Sequence, residues 1–230
     1  MLAAKGMRFP IDVILVCIRW YAAYPLSYRH LEEMMKERGV CADHSSINRW
    51  AIRFLPLLEK AFRKNKRPVG SSWRMDETYI KVKGTWKYLY RAVDKEGKTV
   101  DFLLTARRDK AAVLRFFDKA MKPNGVPEKV TMDKSGANKA AMDEINVRGE
   151  IPIIVRQVKY LNNIVEQDHR AIKRVTKPML NFKSFRAARN VLTGIELMHM
   201  IRKGQLLLQG LIELSFADQF YALAGKIRPV

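Results

Sequence analysis

Cysteine is almost missing from this chain: Cys17 and Cys41 are the only two in 230 residues. Two are too few for a disulfide framework or a zinc finger, so both read as reduced thiols of a cytosolic protein. Long hydrophobic runs are missing as well. The one apolar N-terminal stretch, Ile11 to Leu26, is interrupted by Asp12, Arg19 and Pro25. It is too short and too charged to span a bilayer and lacks a small-residue cleavage site, which excludes a membrane role. Histidine is sparse: His30, His44, His169 and His199 include no His-x-His pair. That argues against metal chemistry of the single-strand relaxase kind, and no local signature of a tyrosine or serine recombinase is visible. Acid is in short supply: 23 Asp plus Glu stand against 43 Lys plus Arg, a net charge of +20 and a pI near 10.1. The excess runs along the whole chain and points to a polyanionic partner, DNA or RNA, in a cytoplasmic, nucleoid-associated protein. A ribosomal-type protein or a merely basic surface is the blander alternative.

Apolar periodicity supplies the organisation. Ile11, Ile14, Leu15 and Ile18 recur at helical spacing and predict a first helix ending near Tyr24-Pro25. Ser27 reads as the N-cap of a second helix with Leu31, Met34 and Met35 on its apolar face. Gly39 stands where a left-handed C-cap is needed. Asp43 can cap a third helix with Ile47, Trp50, Ala51 and Phe54 inward. Helix, glycine-containing turn and helix within roughly 28 residues is the layout of a helix-turn-helix. Its second helix opens with His44, Ser45, Ser46, Asn48 and Arg49, which can reach base edges or phosphates; a hairpin used only for packing is the alternative. In the basic stretch Arg63 to Pro68, Lys64 and Arg67 are placed to track a phosphate backbone, unless the stretch is simply a solvated hinge.

From Ser71 the texture changes. Trp73, Met75 and Thr78-Tyr79-Ile80, then Trp86 to Val93, then Thr99 to Leu104 predict an antiparallel meander, with Asp94 to Lys98 as a polar turn. Helices follow over Ala111 to Met121, Asn138 to Ile145, Asn162 to Lys173 and Phe185 to Gly204, with short strands at Pro127 to Met132 and Ile153 to Val155. The fold class is α/β, a mixed sheet flanked by helices and preceded by a small all-α region. We divide the chain into residues 1–66, a helical region with a basic linker, residues 67–205, the sheet domain, and a tail, 206–230, that packs on the core or forms a dimer contact.

Three acids fall at positions where α/β folds place their sites. Asp76 closes Trp73-Arg74-Met75-Asp76, Asp133 closes Val130-Thr131-Met132-Asp133, and Glu166 lies on a helix in Asn163-Ile164-Val165-Glu166. Singly, each has a bland reading: an aspartate at a strand end is often a turn residue and a helical glutamate usually faces solvent. Glu77, Asp143, Glu144 and Asp168 compete with them, and His169 reads as a surface or hydrogen-bonded residue rather than a metal ligand. Gathered at one rim, three carboxylates would repel one another unless a divalent cation joined them, and magnesium suits such oxygen donors. Two such ions, with manganese able to substitute, could activate an attacking oxygen and stabilise the leaving one in a displacement at phosphorus. Lys173 follows Glu166 by seven positions, about two helical turns, and shares its face. Spacing alone leaves Lys173 open between a phosphate grip and a solvated basic face shared with Arg170 and Lys177.

Order and phrasing add to this. With Trp73-Arg74-Met75-Asp76-Glu77-Thr78-Tyr79, Lys81-Val82-Lys83-Gly84, Tyr88-Leu89-Tyr90-Arg91-Ala92-Val93-Asp94 and Asn162-Asn163-Ile164-Val165-Glu166-Gln167-Asp168-His169-Arg170, the chain closely resembles the compact, cointegrate-forming bacterial insertion-sequence transposases of the sixth family. The resemblance runs from about Pro10 to beyond Arg202. It implies a ribonuclease H-like fold, an Asp-Asp-Glu metal-binding triad at Asp76, Asp133 and Glu166, and a family basic residue at Lys173. It also implies DNA partners, the terminal inverted repeats and a target, and we expect at least a dimer on DNA because two element ends must be held together. Two rivals stand beside it: a non-enzymatic helix-turn-helix regulator, and a nuclease of the same fold acting on RNA–DNA hybrids or branched DNA.

Overall fold

The computed structural model describes residues 8–158, 163–179, 181–207 and 214–225. They form two compact units: residues up to Arg67 together with those from Ile172 onward, and Pro68–Ala171.

The first unit is helical. Its members are α1 (Ile11–Ala23), α2 (Tyr28–Lys36), α3 (His44–Arg63), α7 (Phe185–Arg202) and α8 (Phe216–Gly225). Ser27 caps α2 as expected, its Oγ accepting from the His30 N–H while the His30 ring takes the Ser27 N–H in return. Gly39, at φ +72°, makes the left-handed turn that releases α2. Asp43 caps α3 by accepting from the N–H groups of Ser45 and Ser46. Hydrogen bonds from those two serines hold the Asp43 carboxyl well below the usual carboxylate range. Ile47, Ala51, Phe54, Leu55, Leu58 and Phe62 form the buried stripe of α3.

The sequence boundaries placed α7 with the sheet; the structure groups it with the N-terminal helices. The reason is packing. Gly194 carries no side chain where α7 meets α3, so Leu55 fills the space, and Asn190 donates to the Ile52 carbonyl at 3.0 Å. The described part of the C-terminal tail forms α8, which buries Phe220, Leu223 and Ala224; Leu208 lies outside the described residues.

The second unit carries a five-stranded sheet of order β3-β2-β1-β4-β5, built from β1 (Ser72–Val82), β2 (Thr85–Asp94), β3 (Thr99–Thr105), β4 (Lys129–Met132) and β5 (Ile154–Gln157). The first three form the expected antiparallel meander, while β4 and β5 run parallel to β1. Lys83 and Gly84 both have positive φ, which gives β1 and β2 a two-residue turn whose twist suits a hairpin. Alternation sorts β1 into two faces. Trp73 and Met75 join Tyr90, Ala92, Val130 and Met132 in a core covered by α4 (Lys110–Asn124) and α5 (Gly136–Arg148). The opposite face receives α6 (Asn163–Thr176), a helix that runs past the boundary at Ile172. Asn162 lies outside the described residues, and the other element ends fall within a few residues of those expected.

A β-carbon added at Gly194 would stand 2.5 Å from the buried Leu55 side chain. Alanine in a helix interior is ordinarily favoured over glycine by about 1 kcal/mol. Here overpacking should win, and Gly194→Ala should destabilise by about 1–3 kcal/mol in urea unfolding. Adding Leu55→Ala should then cost less than the two single changes summed.

Candidate active site

Asp76 sits in the central strand β1, directly opposite Arg91 of β2, and so shares with it the face toward α6. Glu77, one residue on, points to the other face with its partner Tyr90. Asp133 follows the C-terminal end of β4. Although alternation separates the two β1 acids, one oxygen each of Asp76, Glu77 and Asp133 lies within 4.8 Å of the others. Asn138 of α5 donates to Asp133 Oδ1 at 3.0 Å. Arg108, from the loop before α4, pairs with Glu77 and stands 3.5 Å from Asp133 Oδ2. Burial pushes the Glu77 carboxyl up to about 7; the Arg108 guanidinium opposes this, and the charges of Asp133 and Asp76 add to it. A cluster of hard oxygen donors, one of them buried, fits a divalent cation.

Helix α6 is fastened across this face by two contacts. The buried Arg91 guanidinium donates to Asp168 Oδ2 at 2.7 Å. His169 is buried too, with Nε2 3.3 Å from Asp76 Oδ2, and its ring nitrogens meet no hydrogen-bond partner among the described residues. Glu166 stands one turn before His169 in the first turn of α6, with its side chain exposed, and the 4.8 Å cluster does not include it. Lys173 is exposed on the same helix.

The residues expected to read DNA open α3, in the helical unit. His44 and Arg49 are exposed, but His44 pairs with Glu32 at 2.9 Å. Ser45 and Ser46 are engaged by the Asp43 cap; Ser46 is buried and accepts from Arg49 Nη2 at 2.8 Å. Asn48 is half-buried, whereas Lys64 and Arg67 are exposed. A cleft of about 430 Å³ at this end of α3 is lined by Arg8, Arg49 and Arg53 with Phe9, Asp43 and Trp50.

Arg108, Arg91 and His169 are the residues that sequence reasoning missed or set aside. Arg91 carried a signal: an arginine inside the apolar run Leu89-Tyr90-Arg91-Ala92-Val93 requires a buried partner. Arg108, in Arg107-Arg108-Asp109, looks like ordinary solvated loop charge.

A sheet of this order, with one aspartate inside the central strand, another just past β4 and an acid-bearing helix docked across it, defines a ribonuclease H-like enzyme core. Comparison with known proteins narrows the class. A family model described as a DDE domain matches residues 70–205. The transposase for insertion sequence-like element IS431mec of Staphylococcus aureus is 40% identical over 198 residues, covering 85% of this chain and 87% of the relative. The Staphylococcus aureus transposase for insertion sequence element IS257 in transposon Tn4003 matches to the same extent. Among solved structures, the HTLV-2 integrase catalytic core domain in complex with magnesium superposes with a TM-score of 0.42 at 14% identity, over 58% of this chain and 88% of that one. The catalytic core domain of BIV integrase gives 0.42 at 12%, over 69% and 98%. The chain belongs to the DDE-domain transposases of insertion sequences, in their sixth family.

Asp168→Ala should cost about 3–5 kcal/mol in urea unfolding, because it removes a hydrogen-bonded counter-charge from the buried Arg91 guanidinium. Replacing the pair together, Arg91→Met with Asp168→Leu, should recover most of that loss.

Glu77 adds a pH dependence. Its value of about 7 against an ordinary 4.5 means that the native state keeps a proton that the unfolded chain releases. Stability therefore falls as pH rises through that window. With chelator present, the wild type should lose on the order of 1–3 kcal/mol relative to Glu77→Gln between those pH values. A difference independent of pH would show that Arg108 keeps Glu77 ionised throughout.

Proposed function

We propose that this transposase binds the terminal inverted repeats of its insertion sequence, nicks the 3′ ends and joins them to target DNA. One observation carries the reading: Asp76 and Asp133 bring carboxylate oxygens within 4.8 Å, while α6, which bears Glu166, is docked beside Asp76 through His169 and Asp168. Asp76, Asp133 and Glu166 are the residues we assign to hold magnesium, as two ions, with manganese a substitute. When bound, such ions activate an attacking oxygen and stabilise the leaving one at phosphorus.

The chain's own groups do the rest. Arg108 offsets the charge of Glu77 and Asp133, and Asn138 orients Asp133 through its hydrogen bond. Water attacks first and the freed 3′-hydroxyl second, so one site serves both steps without a nucleophilic side chain. Lys173, two turns beyond Glu166 on α6, is assigned the terminal phosphate. The helix-turn-helix formed by α2 and α3 reads the repeat, with His44, Ser45, Asn48 and Arg49 at the opening of α3 and Lys64 and Arg67 on the backbone. Ser46, turned inward, contributes by holding the cap and Arg49. Two ends must be held together, so the acting form is a dimer or larger on DNA. No described helix is long and apolar enough to cross a membrane.

The test is strand transfer in magnesium, using a short duplex that ends in the inverted repeat flanking this gene. Asp76→Asn, Asp133→Asn and Glu166→Gln should each abolish joined product and leave repeat binding unchanged. A triad variant with near-normal transfer would remove that residue from the site. Tight binding by wild type and variants alike, with no cleavage by any, would favour a DNA-binding regulator.

A further inference from the structure

The hairpin beyond the acid cluster has a feature that the cleavage chemistry does not use. From Tyr79 to Tyr88 the chain reads Tyr-Ile-Lys-Val-Lys-Gly-Thr-Trp-Lys-Tyr, three lysines and no acid. The two-residue turn at Lys83-Gly84 sets the register, so Tyr79 faces Tyr88 and Lys81 faces Trp86 across the strands, all four on one face. Along β1 the buried side switches at Glu77–Thr78: Trp73, Met75 and Glu77 are buried before it, Thr78, Ile80 and Val82 after it, which leaves Tyr79 and Lys81 exposed. Trp86 is 56% exposed and Tyr79 47%, although both are large aromatics on a regular sheet.

The rings form a ladder. Tyr79 and Tyr88 lie 5.4 Å apart and tilted, Tyr79 and Trp86 lie 6.2 Å apart edge to face, and Lys81 Nζ stands 5.7 Å over the Trp86 ring. Aromatic faces left in water are costly unless something covers them. Basic residues among them select a polyanion that also has flat apolar faces.

The ladder also adjoins the reacting centre. Tyr79 is two residues along β1 from Glu77 and on the same face, about 7 Å at the rise of a strand, and Glu77 belongs to the acid cluster.

We propose that Tyr79 and Trp86 are a stacking platform for unpaired DNA bases next to the cleaved phosphodiester, with Lys81 neutralising the adjoining backbone. The half-buried Tyr88 braces Tyr79 from the core side. This rests on the transposase reading of the acid cluster. Bringing a phosphodiester of a duplex end onto the acid cluster is easier when the neighbouring bases leave the helix. The lost base stacking is then replaced by ring faces on the protein.

The measurement is fluorescence anisotropy of a labelled oligothymidylate and of a blunt duplex of equal length, on full-length protein carrying Asp133→Asn to prevent cleavage. Trp86→Ala and Tyr79→Ala should weaken oligothymidylate binding about ten-fold or more and leave duplex binding unchanged; Trp86→Phe should retain most of it. With Asp133 restored, Trp86→Ala should transfer poorly from a fully paired end and recover on a substrate whose terminal bases are already unpaired.

Equal loss on both DNAs, or loss by Trp86→Phe as large as by Trp86→Ala, overturns the proposal. So does unchanged oligothymidylate affinity accompanied by a shift in sedimentation, which would make the face a subunit contact. The two readings fail separately. Weakened oligothymidylate binding in a protein that never yields joined product keeps the platform and removes the catalytic assignment. Normal binding by Trp86→Ala in a protein that transfers does the reverse.

Discussion

The buried pair between Arg91 and Asp168 is the contact on which the candidate site depends. A guanidinium inside an apolar strand cannot be left without a counter-charge, since its desolvation would exceed what neighbouring packing returns. Asp168 supplies that charge at 2.7 Å from a helix more than seventy residues later in the chain. The pairing fixes where α6 lies on the sheet and which of its faces turns inward. His169 is thereby delivered to Asp76, and Glu166 is set one turn away.

The acids themselves then form a balanced arrangement. Three carboxylates contribute oxygens to one small volume, where Arg108 and Asn138 face Glu77 and Asp133, and His169 faces Asp76. Burial, with the charges of Asp133 and Asp76 adding to it, raises the proton affinity of Glu77. A site that is electrostatically short of positive charge, open at the rim of a parallel strand pair, suits phosphoryl chemistry. There the cation and the polyanionic substrate supply and cancel charge together. The strong positive charge of the rest of the chain favours the approach of that substrate.

Much of the fold is legible in the amino-acid sequence. Cap residues Ser27 and Asp43, the turn glycine Gly39 and the apolar spacing locate α2 and α3, because helix ends are governed by local hydrogen bonding. The antiparallel meander is readable because alternation and turns are local as well. Asp133 stands just past the end of β4 as expected. Asp76, expected to close a strand, instead lies inside β1, which continues to Val82 because Thr78, Ile80 and Val82 keep the alternation going.

What the sequence by itself determined is therefore the set of elements, their order, the strong positive charge and the acids available on the strands. Only the tertiary structure decided which acids meet. Glu77, facing away from Asp76 by strand alternation, nevertheless reaches Asp133, and Arg108 enters from a loop that looks merely solvated. It decided, too, that α7 packs with the N-terminal helices, through a glycine whose missing side chain admits Leu55. Such outcomes depend on pairing and packing between residues far apart in the chain, and hydrophobic period and local propensity carry no record of those partners.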